Sequence, residues 1–287
     1  MPQDPKDVRT KLSFANCGAK VSISHLLELM LMLRSYKEGL VIVGGWAPYF
    51  ILKQFQEPDA KFEHVGSIDI DIAVNPDIIS ETEYATLEQL LVERGYQQCP
   101  EAPFSYKKVI PNGATEQQIQ VDFLGPEDGG TSGSHRHQRI QDDFMLRKVR
   151  GANLAFEHKF EYTLQGKLPN GADGETTFYV ADVVAMLAMK SYVLGQRYKD
   201  KDAYDFYNLL VYYRGGVRDV ASEIKPFTGV VPYPEGLDNV REWFKSQNAP
   251  GPNAVADFDH LEGEGRTLMM QQVFEITQRL LELLVQE

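Results

Sequence analysis

The chain has 287 residues, 43% hydrophobic and 24% charged, with a formal net charge of −12, which is ordinary for a globular protein of one large domain or two modest ones. No run of about 18 apolar residues occurs and the first ten residues are polar, so no membrane span or signal peptide is expected and the chain reads as cytoplasmic. The acidic balance argues against indiscriminate coating of nucleic acid, which is driven by phosphate neutralisation, but not against a local basic groove; the two cysteines, Cys17 and Cys99, lack zinc spacing.

Residues 1 to about 20 read as irregular. From Ser22 or Ser24, both N-cap types, Leu26, Leu27, Met30, Leu31 and Leu33 recur at helical spacing and predict a helix ending near Lys37-Glu38-Gly39. Leu40 to Val43 predicts a short buried strand, Gly44-Gly45 breaks it, and Trp46 to Phe55 predicts a helix with Pro48 in its first turn. Strand, two glycines and helix present backbone N–H groups at a helix N-terminus, where phosphate is stabilised; such a pair is also a common turn with no ligand.

After a polar connection from Gln56 to Gly66, Ser67 to Val74 alternates strictly. The alternation puts Ile68, Ile70, Ile72 and Val74 on one strand face and Asp69, Asp71 and Ala73 on the other. Two carboxylates about 7 Å apart along a strand repel unless a cation lies between them, so the pattern suggests a divalent metal site. Two Asp residues on an ordinary exposed face are the alternative.

Ile78 to Arg94 predicts a helix opened by a Ser80/Glu83 capping box and closed by Gly95. Phe104 to Ile110 and Gln118 to Leu124 predict strands joined by a turn at Pro111-Asn112-Gly113, and Asp122 shares the polar face of the second with Gln120. Gly125 to Ser134 reads as a flexible loop, and His135 and His137 as solvated residues beside Arg136 and Arg139 rather than a metal pair. Leu154 to Phe156, Tyr162 to Leu164 and Thr176 to Val180 predict short strands, with a turn at Pro169-Asn170-Gly171.

From Asp182 the pattern is helical. Asp182 to Leu194 carries Lys190 on the apolar stripe of Val183, Met186, Leu187 and Leu194, where an ammonium must snorkel out or meet an anion; a salt bridge to Asp202 or Asp205 and a bound phosphate both satisfy it. Lys199 to Tyr213 predicts the next helix, with Asp202 and Asp205 on one face and Tyr204 and Tyr207 as core or groove aromatics. Val217 to Ile224 and Val240 to Ser246 predict shorter helices around a Pro-rich connection, and Arg266 to Gln286 predicts the last. Two basic groups, Arg136 to Arg150 and Lys190, Arg197, Lys199 and Lys201, read as solvated faces or phosphate sites.

In order and spacing, Val-Gly-Gly-Trp-Ala at 43–47, Ser-Ile-Asp-Ile-Asp-Ile at 67–72 and Gln-Val-Asp-Phe at 120–123 resemble the signature of polymerase β-type nucleotidyltransferases. Lys190 followed by Lys201-Asp202 and Asp205-Phe-Tyr looks, within that superfamily, like the AbiEii/AbiGii-type toxins. The resemblance implies an α+β fold: an N-terminal polymerase β-like nucleotidyltransferase domain over 1–180, a mixed sheet flanked by helices, and a C-terminal helical bundle over 181–287 completing the cleft. It implies Mg2+-dependent transfer of a nucleoside monophosphate from an NTP to an acceptor hydroxyl, with two ions and release of pyrophosphate.

On that resemblance Gly44, Gly45 and Ser67 would bind the triphosphate, and Asp69 and Asp71 would hold both ions. Asp122 would complete the catalytic ion's shell and orient or deprotonate the acceptor. Lys190 would meet a phosphate, and Asp202 would position Lys190 or the acceptor. The first motif is Gly-Gly rather than Gly-Ser, so no hydroxyl contacts phosphate there. In the toxin version the acceptor is RNA, such as a tRNA 3′ end, and an antitoxin restrains the enzyme within a toxin-antitoxin or phage-defence system. The alternatives are a small-molecule, aminoglycoside-type nucleotidyltransferase and a catalytically silent nucleotide-binding module. An acidic chain suits a cationic antibiotic; the Lys190 to Lys201 cluster suits RNA.

Overall fold

The computed structural model describes residues 11, 14, 18–79, 86–112, 115–127, 137–141 and 144–286. It is an α+β structure in which helices flank a mixed open sheet. Helix α1 (Ala19–Met32) and a 3-10 turn (Arg34–Gly39) lead into β1 (Leu40–Val43), followed by α2 (Trp46–Phe55), β2 (Ile70–Val74) and the short α3 (Leu87–Glu93). Then come β3 (Gln97–Cys99), β4 (Ala102–Asn112), β5 (Thr115–Pro126), β6 (His137–Gln141) and β7 (Phe144–Val149). Helix α4 (Ala152–Glu157) precedes a long hairpin of β8 (Lys159–Lys167) and β9 (Asp173–Ala181). The remainder is helical: α5 (Val183–Leu194), α6 (Asp200–Tyr212), α7 (Val217–Ile224), α8 (Tyr233–Trp243), α9 (Pro250–Phe258) and α10 (Gly263–Val285).

The strand order is β3-β4-β5-β2-β1-β9-β8, with β7 joined to β5 and β6 to β7. The unbroken apolar run of β1 suits a strand covered on both faces, and all four of its residues are buried. It pairs antiparallel with β2 and parallel with β9, and β2 pairs parallel with β5. Strand β2 is therefore held on both edges, which fixes its register and the face each aspartate occupies. On the far side, edge strand β8 is largely exposed and charged, which blunts edge-to-edge pairing.

Helix α2 is anchored by aromatics. The Phe50 ring lies 4.6 Å from Tyr162, 5.5 Å from Phe178 and 5.8 Å from Trp46, and the Trp46 indole donates to Ser22 Oγ at 3.2 Å. The Gly44-Gly45 turn thus runs between a central strand and a helix that cannot shift freely. At the expected boundary near residue 180, β9 ends at Ala181 and Asp182 caps α5, accepting from the Val184 and Ala185 N–H groups at 2.8 and 3.2 Å. One hydrophobic core, from Leu26 through Ile72 and Leu187 to Leu280, continues across that junction.

Several expectations are corrected. The first helix starts at Ala19 rather than Ser22 or Ser24, because Ser22 is buried against Trp46 and Ser24 bonds back to the Val21 carbonyl. The helix expected over 78–94 shrinks to α3, capped by Thr86 and Gln89 in a reciprocal capping box; Ser80 and Glu83 lie outside the described residues. Leu154 to Phe156 belongs to α4 rather than a strand, since three apolar residues carry no periodicity that separates the two states. Strand β2 begins at Ile70, so Asp69 sits in the bend before it, and Ala73 on the supposed polar face is fully buried. Helix α8 starts at Tyr233 rather than Val240, and its first turn takes in Pro234. His137 lies in β6 and not in a loop, whereas Cys17, Gly113, His135, Arg136 and most of the 125–134 loop fall outside the described residues. Among the described residues, no helix is long and apolar enough to cross a membrane.

Candidate active site

The acidic side is set by strand register. Across the parallel β2–β5 pair Asp71 stands opposite Asp122, and across β1–β2 it stands opposite Val43, immediately before the glycine turn. Side chains opposite one another on paired strands share a face, so the two carboxylates converge. Burial, reinforced by Asp122 and Asp69, pushes the Asp71 carboxyl up to about 7. Burial also raises Asp122, against the Gln120 amide, which donates to both carboxylate oxygens at 3.0 and 3.2 Å. The three aspartates singled out by spacing therefore interact in the fold.

Gly44 is where it is because nothing larger fits. Its φ is +64°, and a Cβ there would stand 2.0 Å from Asp71 Oδ2. The second glycine is confined by space: a Cβ on Gly45 would meet Ser67 Oγ at 2.5 Å and Lys201 Nζ at 3.3 Å. Gly45 is also the residue before α2, so the free N–H groups of that helix open at the turn. The structure thus brings Gly44, Gly45, Ser67, Asp71 and Asp122 together.

Facing this turn is a buried charge cluster from the helical half. Lys190 Nζ donates to Asp202 Oδ1 at 2.8 Å and to Asp205 Oδ2 at 2.6 Å, so the salt bridges expected as alternatives are both made. Lys201 Nζ donates to Asp205 Oδ1 at 2.7 Å, one helical turn away, and Arg197 Nε donates to Asp202 Oδ2 at 2.9 Å. His64 completes it. Its Nδ1 accepts from the Gly66 N–H at 3.1 Å, which leaves the proton on Nε2 to donate to Asp205 Oδ1 at 3.0 Å.

The electrostatics follow from burial and pairing. Burial outweighs the bond to Asp205 and lowers His64 to about 4, so the ring is neutral near pH 7. Burial favours the neutral acid at Asp202 and Asp205, but Lys190, with Arg197 and Lys201, overcomes it: Asp202 falls to about 2 and Asp205 well below the usual carboxylate range. Burial likewise opposes the charge on Lys190, and its two carboxylates overcome that and raise it. At Lys201 burial wins, and the ammonium is pushed down. Three cations against two carboxylates leave this cluster with one net positive charge, and Lys199 and Lys190 both counter the proton affinity of Asp71 across the cleft.

His64 escaped sequence reasoning as a site residue, and Arg197 and Lys201 carried only the expectation of a basic group that is either a solvated face or a phosphate site. His64 lies 141 positions from its carboxylate, and nothing in the polar 56–66 stretch marks it. Lys201 did carry a signal, its i,i+4 spacing to Asp205. Oxygen-only donors suit a hard cation such as Mg2+, which is commonly held by one or two carboxylates plus substrate phosphates. A half-buried carboxyl raised by desolvation and by its like-charged neighbours is what such a cation would relieve. Among the described residues, no three His, Cys, Asp or Glu side chains form a group that could hold a metal ion, so the fit rests on the carboxylate chemistry with substrate oxygens completing the shell.

Two outcomes follow. Because the folded-state Asp71 binds its proton more tightly than the ordinary 3.8, its contribution to stability is intact below about pH 4 and is lost as pH rises through 7. Asp71→Asn should therefore stabilise the metal-free protein at pH 8, by about 2 kcal/mol or more, and do little at pH 4. Urea unfolding at the two pH values checks this, and an unchanged midpoint at pH 8 contradicts it. Gly44→Ala should destabilise by about 2 kcal/mol, and the Gly44→Ala/Asp71→Ala pair should be less costly than the two single changes added together; strict additivity would show that the carboxylate does not crowd the turn.

Comparison with known proteins gave no match to the chain, whether by family model, curated protein or solved structure.

Proposed function

We propose that this chain is a Mg2+-dependent nucleotidyltransferase of polymerase β-like fold, acting on an RNA hydroxyl such as a tRNA 3′ end, in the manner of an AbiEii-like toxin restrained by an antitoxin. One observation carries the reading: Asp71 and Asp122 stand in register on neighbouring strands, Asp71 is pressed against the Gly44-Gly45 turn, and on the other side of that turn lies a buried ion cluster made net positive by the exposed Arg197. Acid, backbone donors and cations in that order are what a polyanionic substrate with bound cations requires.

In this reading Asp69 and Asp71 would hold the Mg2+ together with substrate oxygens, Asp122 would join them once substrate is in place, and the ion would supply neutralisation of the triphosphate and activation of the acceptor. The free N–H groups at the α2 N-terminus and the Ser67 hydroxyl beside Gly45 bind phosphate oxygens. Asp122, held by Gln120 with a raised proton affinity, takes the acceptor's proton. The acceptor oxygen then bonds to the α-phosphorus as the bond to pyrophosphate breaks. Asp202 holds Lys190, as the resemblance implies, and both are fixed before substrate arrives.

RNA is favoured over a cationic antibiotic by the surface next to Asp122. Arg147 is exposed, its charge counters the proton affinity of Asp122, and its guanidinium lies 5.6 Å over the Phe104 ring, which stacks on His137 at 5.5 Å. A cation with aromatic faces suits phosphate and base, and repels an aminoglycoside.

The test is to incubate the protein with each α-labelled NTP, Mg2+, and either total tRNA or a panel of aminoglycosides. Label should move to RNA, stop on chelation of Mg2+, and fall about 100-fold or more with Asp69→Ala, because several kcal/mol of charge stabilisation is removed. Turnover unaffected by Asp69→Ala would sink the reading, and label on an aminoglycoside alone would replace the acceptor.

A further inference from the structure

We infer that Lys201 is the cation that meets the triphosphate at the Gly44-Gly45 turn, an assignment that rests on the nucleotidyl-transfer reading and moves to α6 the phosphate contact expected of Lys190. The two lysines share Asp205 but differ in what surrounds them. Lys190 is bonded to two separate carboxylates at 2.6 and 2.8 Å, and its charge is balanced within the cluster. Lys201 has one carboxylate oxygen at 2.7 Å, and that oxygen is already shared with His64. An ammonium has three donors, so Lys201 retains capacity that this single bond does not use.

Position makes the same distinction. A Cβ on Gly45 would stand 3.3 Å from Lys201 Nζ and 2.5 Å from Ser67 Oγ. Ammonium, hydroxyl and the start of α2 therefore converge where any side chain at position 45 would otherwise stand. An oxygen resting against Gly45 is within reach of all three, and Lys190 is not among the three atoms nearest that position. The Phe14 ring lies 5.4 Å from Lys201 Nζ and is itself buried, so it covers one side of the ammonium. Burial already weakens the hold of Lys201 on its proton, and an arriving phosphate would restore the balance.

His64 and Asp205 are the positioning residues of this arrangement. The imidazole ties the loop that carries Gly66 and Ser67 to the carboxylate that holds Lys201, so the hydroxyl and the ammonium keep their spacing.

The test compares wild type with Lys201→Met, Lys201→Arg and Lys190→Met, each checked for folding by circular dichroism, by calorimetric binding of ATP, GTP, CTP and UTP with Mg2+. Wild type should bind at least one NTP, Lys201→Met should weaken that binding tenfold or more, and Lys201→Arg should recover part of it. Lys190→Met should cost thermal stability more than affinity. With the unmodified protein, a crystal structure of the NTP complex should place a phosphate oxygen within hydrogen-bond distance of Lys201 Nζ and not of Lys190 Nζ, a readout that stands if a variant does not fold. NTP binding by wild type that persists undiminished in Lys201→Met, or bound NTP whose phosphates stay clear of Lys201, overturns this inference alone. Absence of NTP binding by wild type overturns it together with the nucleotidyl-transfer reading.

Discussion

A carboxylate with no exposure to solvent, Asp205, accepts hydrogen bonds from Lys190, Lys201 and His64, and the arrangement of the candidate site depends on it. Each donor comes from a different place: α5, the start of α6, and the loop before β2. A buried ion costs far more unpaired than paired, so all three segments must be in place together for Asp205 to be tolerated. Breaking such a pair typically costs about 3–5 kcal/mol. The ion cluster therefore couples the helical half to the strand that carries Asp71, and a continuous apolar core does the same beneath it.

Across the glycine turn the physics is reversed. Burial raises the proton affinity of Asp71 and of Asp122, with Asp122 and Asp69 adding to it at Asp71 and Asp69 at Asp122, so these carboxyls are held in a state that positive charge would relieve. One side of the turn is short of cations and the other has one in excess, at a separation set by two glycines with no room for side chains. A substrate that brings both a divalent cation and phosphate oxygens satisfies both sides at once. This is why the reading falls on a nucleoside triphosphate rather than on a simple anion or a metal alone.

Much of this was legible in the sequence, for physical reasons that can be named. The apolar run of β1, the two glycines, the Ile/Asp alternation of β2 and the isolated Asp122 are each a weak signal alone, and it is their order that is specific; the sheet sets Asp71 and Asp122 in register. Lys190 stood out because an ammonium on an apolar stripe demands a partner, and the structure supplies two. The remainder was illegible where the determinant is long-range or the segment short. His64 is defined by a residue far along the chain, α4 by three apolar residues without period, and α9, for which the sequence raised no expectation, begins Pro-Gly-Pro, with proline well suited to a first helical turn. Strands β6 and β7 follow a Gly/Ser-rich tract and are recruited by the late half of β5, where β7 pairs with Leu124 to Pro126.

The central claim is that the acidic strands and the glycine turn form one nucleotide site. The most direct measurement is a crystal structure with Mn2+ and a non-hydrolysable NTP analogue, using the anomalous signal to place the metal. The account predicts manganese bound by Asp69 and Asp71 with the triphosphate against Gly45. Manganese and nucleotide found together at any other place on the molecule would contradict it.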